Sequence, residues 1–337
     1  MKNIAFFFAW SMALCGARLV AQDHAAAPAY KYIRTGEVKD APARNLSGGF
    51  ALIGGGKDLD EAFVWMCRRS GGGDFLIVRA AGTDAYNPYV NSLCKQNSVA
   101  TLIIPNRQAA EDSAVARIIR DSEAIFIAGG DQSNYINFWS NTPVQAALND
   151  SIARGVPIGG TSAGLAVLGE FIYSAQNDQP NGPNLTSRDA LANPFHTQIT
   201  IAKDFLQITP LRGVITDSHF SSRDRLGRTL VFLARILQSG AANPARGIGI
   251  DERTAVLIAP DGSADVAGTG SAYFFQTTRP ASEISPEHPL SIAAISVMKE
   301  TSGKKFRLAA WTGDGIRYEL SVENGSVRST QPGGAIY

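Results

Sequence analysis

This sequence predicts an α/β fold with a mostly parallel sheet, helices on both faces and a mainly β C-terminal extension. Three observations carry that expectation. Short, continuous apolar runs end repeatedly in glycine turns, as strands covered on both faces do. Between them lie segments with apolar residues at helical spacing. Beyond Gly247 the texture changes to short runs joined by Asp-Gly and Asn-Gly turns, the hairpin signal. The 337 residues, 45% of them hydrophobic, are enough for one large domain with a small appendage.

At the N-terminus, Lys2 precedes an apolar run over 4–16. That run is shorter than the ~20 residues a bilayer span needs. A basic start, an apolar core and small residues read as a secretory leader over 1–21, cut after Ala21. A lipoprotein signal at Cys15 would need a small residue where bulky Leu14 stands. The mature protein is therefore expected to be secreted or periplasmic and free of the membrane. Residues 22–47 read as an arm or linker.

Strand 50–53 runs into Gly54-Gly55-Gly56, and Leu59, Ala62, Phe63, Met66 and Cys67 then repeat at helical spacing. Further strands are expected at 75–78, 100–104, 124–128 and 156–158, with helices over 109–119, up to about 154, and 165–172. Residues 176–199 read as a long loop, a kind that is often functional. Strand 213–216 and a helix over 222–237 follow. The α/β domain is expected over 48–275, with the β-rich extension over 276–337 packed on it.

A formal net charge of +1 gives no field favouring nucleic acid or a membrane surface. There is no Cys-x-x-Cys, His-Glu-x-x-His or Cys/His cluster, so neither a metal nor a cofactor is expected. Cys67 and Cys94 remain after the leader, either as one disulfide or as two buried thiols.

The strongest chemical signal is Gly160-Thr161-Ser162-Ala163-Gly164, set between a strand and a helical run. A nucleophilic serine at the tip of a sharp strand-to-helix turn needs neighbours without bulk. The Ala163 amide then points at an oxyanion formed there. Serine needs a base. Of four histidines, His24 is near the leader cut, His196 is in the long loop and His288 is in a proline-flanked turn. His219 follows strand 213–216, at the strand end where sites of open α/β sheets assemble. The third group should be a carboxylate near that histidine. Glu252, at the end of the run 248–250, and Asp217, two positions before His219, both satisfy the spacing. Gly129-Gly130-Asp131-Gln132 ends a strand and offers Gly130 as a second oxyanion donor, with Asp131 as a helix cap. Gly54-Gly55-Gly56 lacks the third glycine of a dinucleotide fingerprint and reads as a tight turn. Arg223, Arg225 and Arg228 form either a solvated helix face or a carboxylate-binding cluster.

Together the glycine turn at 54–56, Gly-Gly-Asp-Gln at 129–132, Gly-Thr-Ser-Ala-Gly at 160–164, Asp-x-His-Phe-x-x-Arg-x-Arg-x-x-Arg at 217–228 and Gly-x-x-x-Asp-Glu at 247–252 resemble the cyanophycinase and dipeptidase E family of serine peptidases. The resemblance runs from about 48 to 275. It implies a class I glutamine-amidotransferase-like fold and a triad of Ser162, His219 and Glu252, preferring Glu252 over Asp217. It further implies a pocket lined by Gln132, Asp217, Ser218, Arg223, Arg225 and Arg228. The substrate implied is a peptide or polypeptide rich in Asp, cut next to aspartyl residues. In cyanophycin the cut falls between β-linked Asp-Arg dipeptides. Relatives are often dimers, which implies a homodimer. Ser218, where cyanophycinases usually carry glutamine, and the insertion at 176–200 depart from the family pattern and leave the exact substrate open.

Overall fold

The computed structural model describes residues 1, 29–42, 45–179, 182–282 and 284–337; beyond Met1, the predicted leader lies outside them, as does His24. The first half of the chain alternates strand and helix. It runs β1 (Lys31–Gly36), β2 (Phe50–Ile53), α1 (Asp60–Arg69), β3 (Asp74–Arg79), α2 (Tyr86–Leu93), β4 (Ser98–Ile103), α3 (Arg107–Ala110) and α4 (Ser113–Arg120). Then come β5 (Ala124–Ile127), α5 (Gln132–Trp139), α6 (Pro143–Ala153), β6 (Ile158–Thr161) and the short α7 (Ala163–Ala166). Strands β4, β3, β5, β6 and β2 lie side by side in that order, all parallel. Local chemistry sets the helix starts: the carboxylates of Asp112 and Asp131 cap α4 and α5, and Pro143 opens α6.

These strands are buried on both sides, and alternate residues serve different cores. Leu52, Leu76 and Ile125 pack with Trp139 and Leu148, whereas Ile53, Ile77 and Phe126 pack with Phe63 and Met66. Phe63 is fully buried, with its ring against those of Phe75, Phe126, Tyr86 and Tyr89. Cys67 and Cys94 are joined in a disulfide linking α1 to the end of α2.

The second half contains β7 (Phe171–Tyr173), α8 (Ser187–Ala192), β8 (Ile201–Lys203), β9 (Val214–Asp217), α9 (Leu226–Gln238) and β10 (Ala245–Ile250). It ends with β11 (Thr254–Ile258), β12 (Ser263–Gly268), β13 (Ser271–Thr277), β14 (Ile292–Thr301), β15 (Lys305–Arg307), β16 (Thr312–Gly313), β17 (Ile316–Glu323) and β18 (Ser326–Ser329). These strands build a second, mostly antiparallel sheet in the order β18-β17-β14-β13-β10-β9-β7-β8. Its parallel pairs are β9 with β10 and β9 with β7. After β10 the chain turns at 251–253, leaves this sheet and pairs β11 antiparallel to β2 of the first. The strands after residue 276 continue both sheets: β14, β17 and β18 lengthen the second, β15 and β16 the first.

The α/β class with a mainly β C-terminal region is therefore the observed one, with several local differences. The arm at 22–47 contains β1, paired antiparallel to β4 at the sheet edge. The expected helix over 165–172 is α7 followed by β7; a short apolar run does not reveal its period, and pairing with β9 and β8 decides it. The long loop 176–199 carries α8, capped by Thr186. Strand 213–216 belongs to the second sheet, and the helix expected from 222 begins at Leu226.

Phe63→Ala removes a ring from a fully packed aromatic cluster, so it should cost roughly 3–5 kcal/mol, read as a lowered urea midpoint.

Candidate active site

The elbow is built by absent side chains. Ser162 has φ 53° and ψ −114°, a strained conformation at the tip of the turn between β6 and α7. Its N–H donates to the Ile53 carbonyl at 3.2 Å, which ties the tip to β2. A Cβ on Gly160 would strike the Gly164 carbonyl, and one on Gly164 the Ile127 carbonyl. Glycine is required at both places because the turn folds back onto the backbone of α7 and β5. As the first amide of α7, the Ala163 N–H has no carbonyl of its own helix to reach. Gly129 lies against Ser162, since a Cβ there would be 3.4 Å from the serine Cβ. The Tyr135 hydroxyl donates to the Ala128 carbonyl at 2.8 Å and braces the Gly129-Gly130 turn.

The three groups expected to act together meet in one line. Ser162 Oγ lies 2.7 Å from His219 Nε2, and His219 Nδ1 lies 2.6 Å from Glu252 Oε1. A carboxylate only accepts, so Nδ1 carries the proton and Nε2 is left to accept from the serine. The His219 side chain is 6% exposed and Glu252 is 36% exposed. Burial pushes the imidazole below its usual pKa of 6.5; the hydrogen bond that it donates to Glu252 opposes the shift, and Arg223 and Arg225 add to it. The hydrogen bond with His219 holds Glu252 below the ordinary carboxylate range. His219 is thus neutral near pH 7, the form that can take a proton.

The imidazole rests on the glycine turn at 54–56. A Cβ on Gly55 would lie 2.5 Å from His219 Nε2, and one on Gly56 3.0 Å from Glu252 Oε2. Backbone bonds lock this turn to both partner segments: His219 N–H donates to Gly54 at 2.7 Å and Arg253 N–H to Gly55 at 3.0 Å. Asp251 braces the same loops from below, accepting from the Ser221 N–H at 2.9 Å and the Ser271 N–H at 3.0 Å. The tight-turn reading of 54–56 missed this bed for the histidine. The signal was present in three consecutive glycines, which local turn chemistry alone does not require.

A cavity of about 510 Å³ opens beside Ser162. Gly130, Gln132, Ala163, Ser218, Arg223, Arg225 and Arg228 all line it. Asp217 does not. Its carboxylate turns inward, 5% exposed, and accepts from Arg228 Nε at 2.8 Å, Arg228 Nη2 at 2.6 Å and Arg225 Nη1 at 3.2 Å. The expected substrate contact is therefore corrected to a positioning role: Asp217 holds the arginines that face the cavity. Burial alone would raise its pKa, but Arg228 and Arg225 outweigh burial and keep it below the usual range. Burial and the neighbouring Arg228 lower Arg225 to about 10. Arg223 is exposed and makes no ion pair among the described residues. His196 is spent locally, its Nδ1 accepting from the Gln198 N–H at 3.3 Å.

Two contributors come from segments whose sequence carried no signal. Tyr173 of β7 places its ring beneath the Arg228 guanidinium, 4.8 Å away, and donates through its hydroxyl to Asp178 at 3.1 Å. Tyr337 packs edge-on against Phe220, beside the histidine, and its hydroxyl donates to Asp224 at 2.7 Å while accepting from the Leu226 N–H. It thereby braces the loop between His219 and α9.

Among the described residues no group of His, Cys, Asp and Glu could hold a metal ion. No helix among them is long and apolar enough to cross a membrane.

Removing the charge of Asp217 would leave two buried guanidiniums facing each other. Asp217→Asn should therefore destabilise the protein by roughly 3–5 kcal/mol, measured by urea unfolding. Gly55→Ala should displace the imidazole while leaving the sheets intact, because its new Cβ meets the ring and its φ of +93° disfavours a side chain. Unchanged fluorophosphonate labelling of Ser162 in that variant would contradict the assignment of Gly55 as the bed of the histidine.

The profile of peptidase family S51 matches residues 57–265. A cyanophycinase of Synechococcus elongatus is 30% identical over 231 residues, 65% of this chain and 65% of the relative. Cyanophycinases of Trichormus variabilis and Geminocystis herdmanii are 30% and 29% identical over 62% and 64% of this chain, and over 65% and 74% of their own lengths. The chain thus spans just under two thirds of the length of the first of these relatives. A crystal structure of a peptidase from an acI-B1 actinobacterium shares the fold, with a TM-score of 0.50 at 17% identity, over 81% of this chain and 98% of that one. The matched span contains the elbow, the histidine, the glutamate and the arginine cluster, and the chain belongs to peptidase family S51.

Proposed function

We propose that this chain is an exported serine peptidase of cyanophycinase type, which hydrolyses peptide or β-aspartyl bonds next to Asp through an acyl-enzyme on Ser162. The observation that carries the reading is the hydrogen-bonded line from Ser162 through His219 to Glu252 at a strained elbow. His219 Nε2 takes the hydroxyl proton as Ser162 Oγ attacks the carbonyl carbon. Glu252 keeps the imidazole in the required tautomer and stabilises the imidazolium that forms. The amides of Ala163 and Gly130 receive the developing oxyanion. The proton then passes from His219 to the leaving amine, the carbon–nitrogen bond breaks, and water repeats the sequence in reverse to release the acid.

The cavity supports an acidic substrate. Arg223 reaches it without an internal carboxylate partner among the described residues, and Arg225 is held there by Asp217. Guanidinium forks suit carboxylates. Export is supported by the apolar run at 4–16 and accords with the Cys67–Cys94 disulfide, since such bonds persist in oxidising compartments. An esterase of the α/β-hydrolase fold is the second reading, but the order of serine, histidine, acid along this chain argues against it.

Ser162→Ala should lower kcat by roughly 10⁴-fold or more with the urea midpoint retained. Undiminished hydrolysis of β-aspartyl peptides in that variant would end the proposal. A p-nitrophenyl ester assayed in parallel separates the two readings, because an esterase would favour it over the peptide. Because the His219 pKa lies below 6.5, kcat/KM should be flat near neutral pH and fall as pH drops through that lowered value. A fall beginning above pH 7 would show a different base.

A further inference from the structure

A second hollow opens at the carboxyl end of the first sheet, the end where open α/β sheets assemble their sites. Lys57 and Asp58, ahead of α1, line it together with Ala85, Tyr86 and Tyr89 at the start of α2. Its volume is about 240 Å³. Sites for a whole small ligand run to roughly 300–1,000 Å³, so this one suits a single side chain. Both phenols are anchored: Tyr86 Oη donates to Asp58 Oδ2 and Tyr89 Oη to Asp60 Oδ1, each at 2.7 Å. The Cys67–Cys94 bond ties the two helices together at their far ends. With the hydroxyls spent, what remains for a ligand is ring surface. Asp58 offers little to an arriving cation, because Oδ1 is closed off from solvent and Oδ2 is taken by Tyr86. Lys57 is exposed and makes no ion pair among the described residues.

The place of this hollow relative to Ser162 gives it a role. Helices α1 and α2 pack on the sheet face that carries Phe63 and Phe126. Helix α5, which borders the arginine cavity, packs on the other face with Trp139. Ser162 stands between the two: Thr161 pairs with Ile53 in the neighbouring strand, and its hydroxyl bears on the Asp58 carboxylate. The two hollows thus flank the elbow from opposite faces. His219, which hands its proton to the leaving amine, rests on Gly55, in the turn that runs on to Lys57 and Asp58. The leaving half of a substrate therefore lies toward 55–58, and the acyl half toward the arginines. Resting on the peptidase reading above, we propose that Lys57, Asp58, Ala85, Tyr86 and Tyr89 form the subsite for the residue on the leaving-amine side of the scissile bond. This subsite selects a bulky apolar side chain, an aromatic ring above all. Such a group gains by displacing water from the two rings, whereas a basic one would meet the Lys57 ammonium.

The test uses Ser162→Ala protein, which binds without turnover, and three dipeptides: β-aspartyl-phenylalanine, β-aspartyl-alanine and β-aspartyl-lysine. Calorimetry should show the phenylalanine dipeptide binding about tenfold more tightly than the alanine one, as burial of a ring implies. The lysine dipeptide should bind no more tightly than the alanine one. Ala85 is exposed, so Ala85→Trp fills the hollow without disturbing the core. Adding it should bring the phenylalanine-to-alanine ratio close to one, whereas Tyr89→Phe, which keeps the ring, should preserve that ratio. The proposal is overturned if the parent shows no binding or no preference, or if the lysine dipeptide binds best. It is equally overturned if Ala85→Trp keeps the preference, or weakens the phenylalanine and alanine dipeptides alike. Hydrolysis by the wild-type protein is read separately. The preference in binding without any turnover would sink the peptidase reading and leave the subsite standing, whereas turnover without the preference would do the reverse.

Discussion

The site depends on the clamp between the Gly54-Gly55-Gly56 turn and the two segments packed on it. Ser162 stands at the end of β6 in one sheet, and His219 follows β9 in the other. They meet beside the corner at 251–253, where the chain leaves β10 and enters β11 beside β2. Glu252 sits on that corner. Bonds from His219 to Gly54 and from Arg253 to Gly55 fasten both sides to the end of β2. Without side chains on this turn, the imidazole can lie directly on backbone, and its position is set by hydrogen bonds instead of flexible packing. A near-attack geometry needs that rigidity, because an error of an ångström at the base is costly.

A second constraint is electrostatic. Two arginines at the start of α9 would repel one another, and Asp217 makes their presence tolerable. Such an arrangement is expensive in desolvation and adds little net stability compared with an apolar replacement. Its use is positional: the guanidiniums are held at a cavity wall with their orientation set before any ligand arrives. Arg225, together with Arg223, also stands near His219 and works with burial to keep the imidazole neutral. Glu252 offsets that tendency enough to orient the ring without making it a permanent cation. The base and the binding surface are in this sense one electrostatic unit.

The legible parts of the site are those whose physics is local. The elbow at 160–164 was readable because glycine at both ends is demanded by backbone contacts within a few residues of the serine. His219 emerged because few histidines were available and one followed a strand. The choice between Glu252 and Asp217 was open at the level of residue spacing, and the reason is visible in the backbone. Parity along an extended strand would place Asp217 and His219 on one face, but His219 has φ 47°, so the strand ends at Asp217 and parity ends with it. The segment 165–172 was misread for a similar reason, since a short apolar run carries no period and its pairing partners are distant.

The sequence by itself determined the alternating α/β order, the β-rich end, the nucleophile turn and the set of groups from which base, acid and arginines are drawn. Tertiary structure alone decided that two sheets share the site, that Asp217 faces inward, that the 54–56 turn beds the imidazole, and that Tyr173, Asp178 and Tyr337 belong to its surroundings. The difference is one of range. Turn chemistry and hydrophobic period act over a few residues and leave a mark in them. The meeting of β6, β9 and the 251–253 corner is set by strand pairing between segments far apart in the chain, and no residue in any one of them encodes its partner.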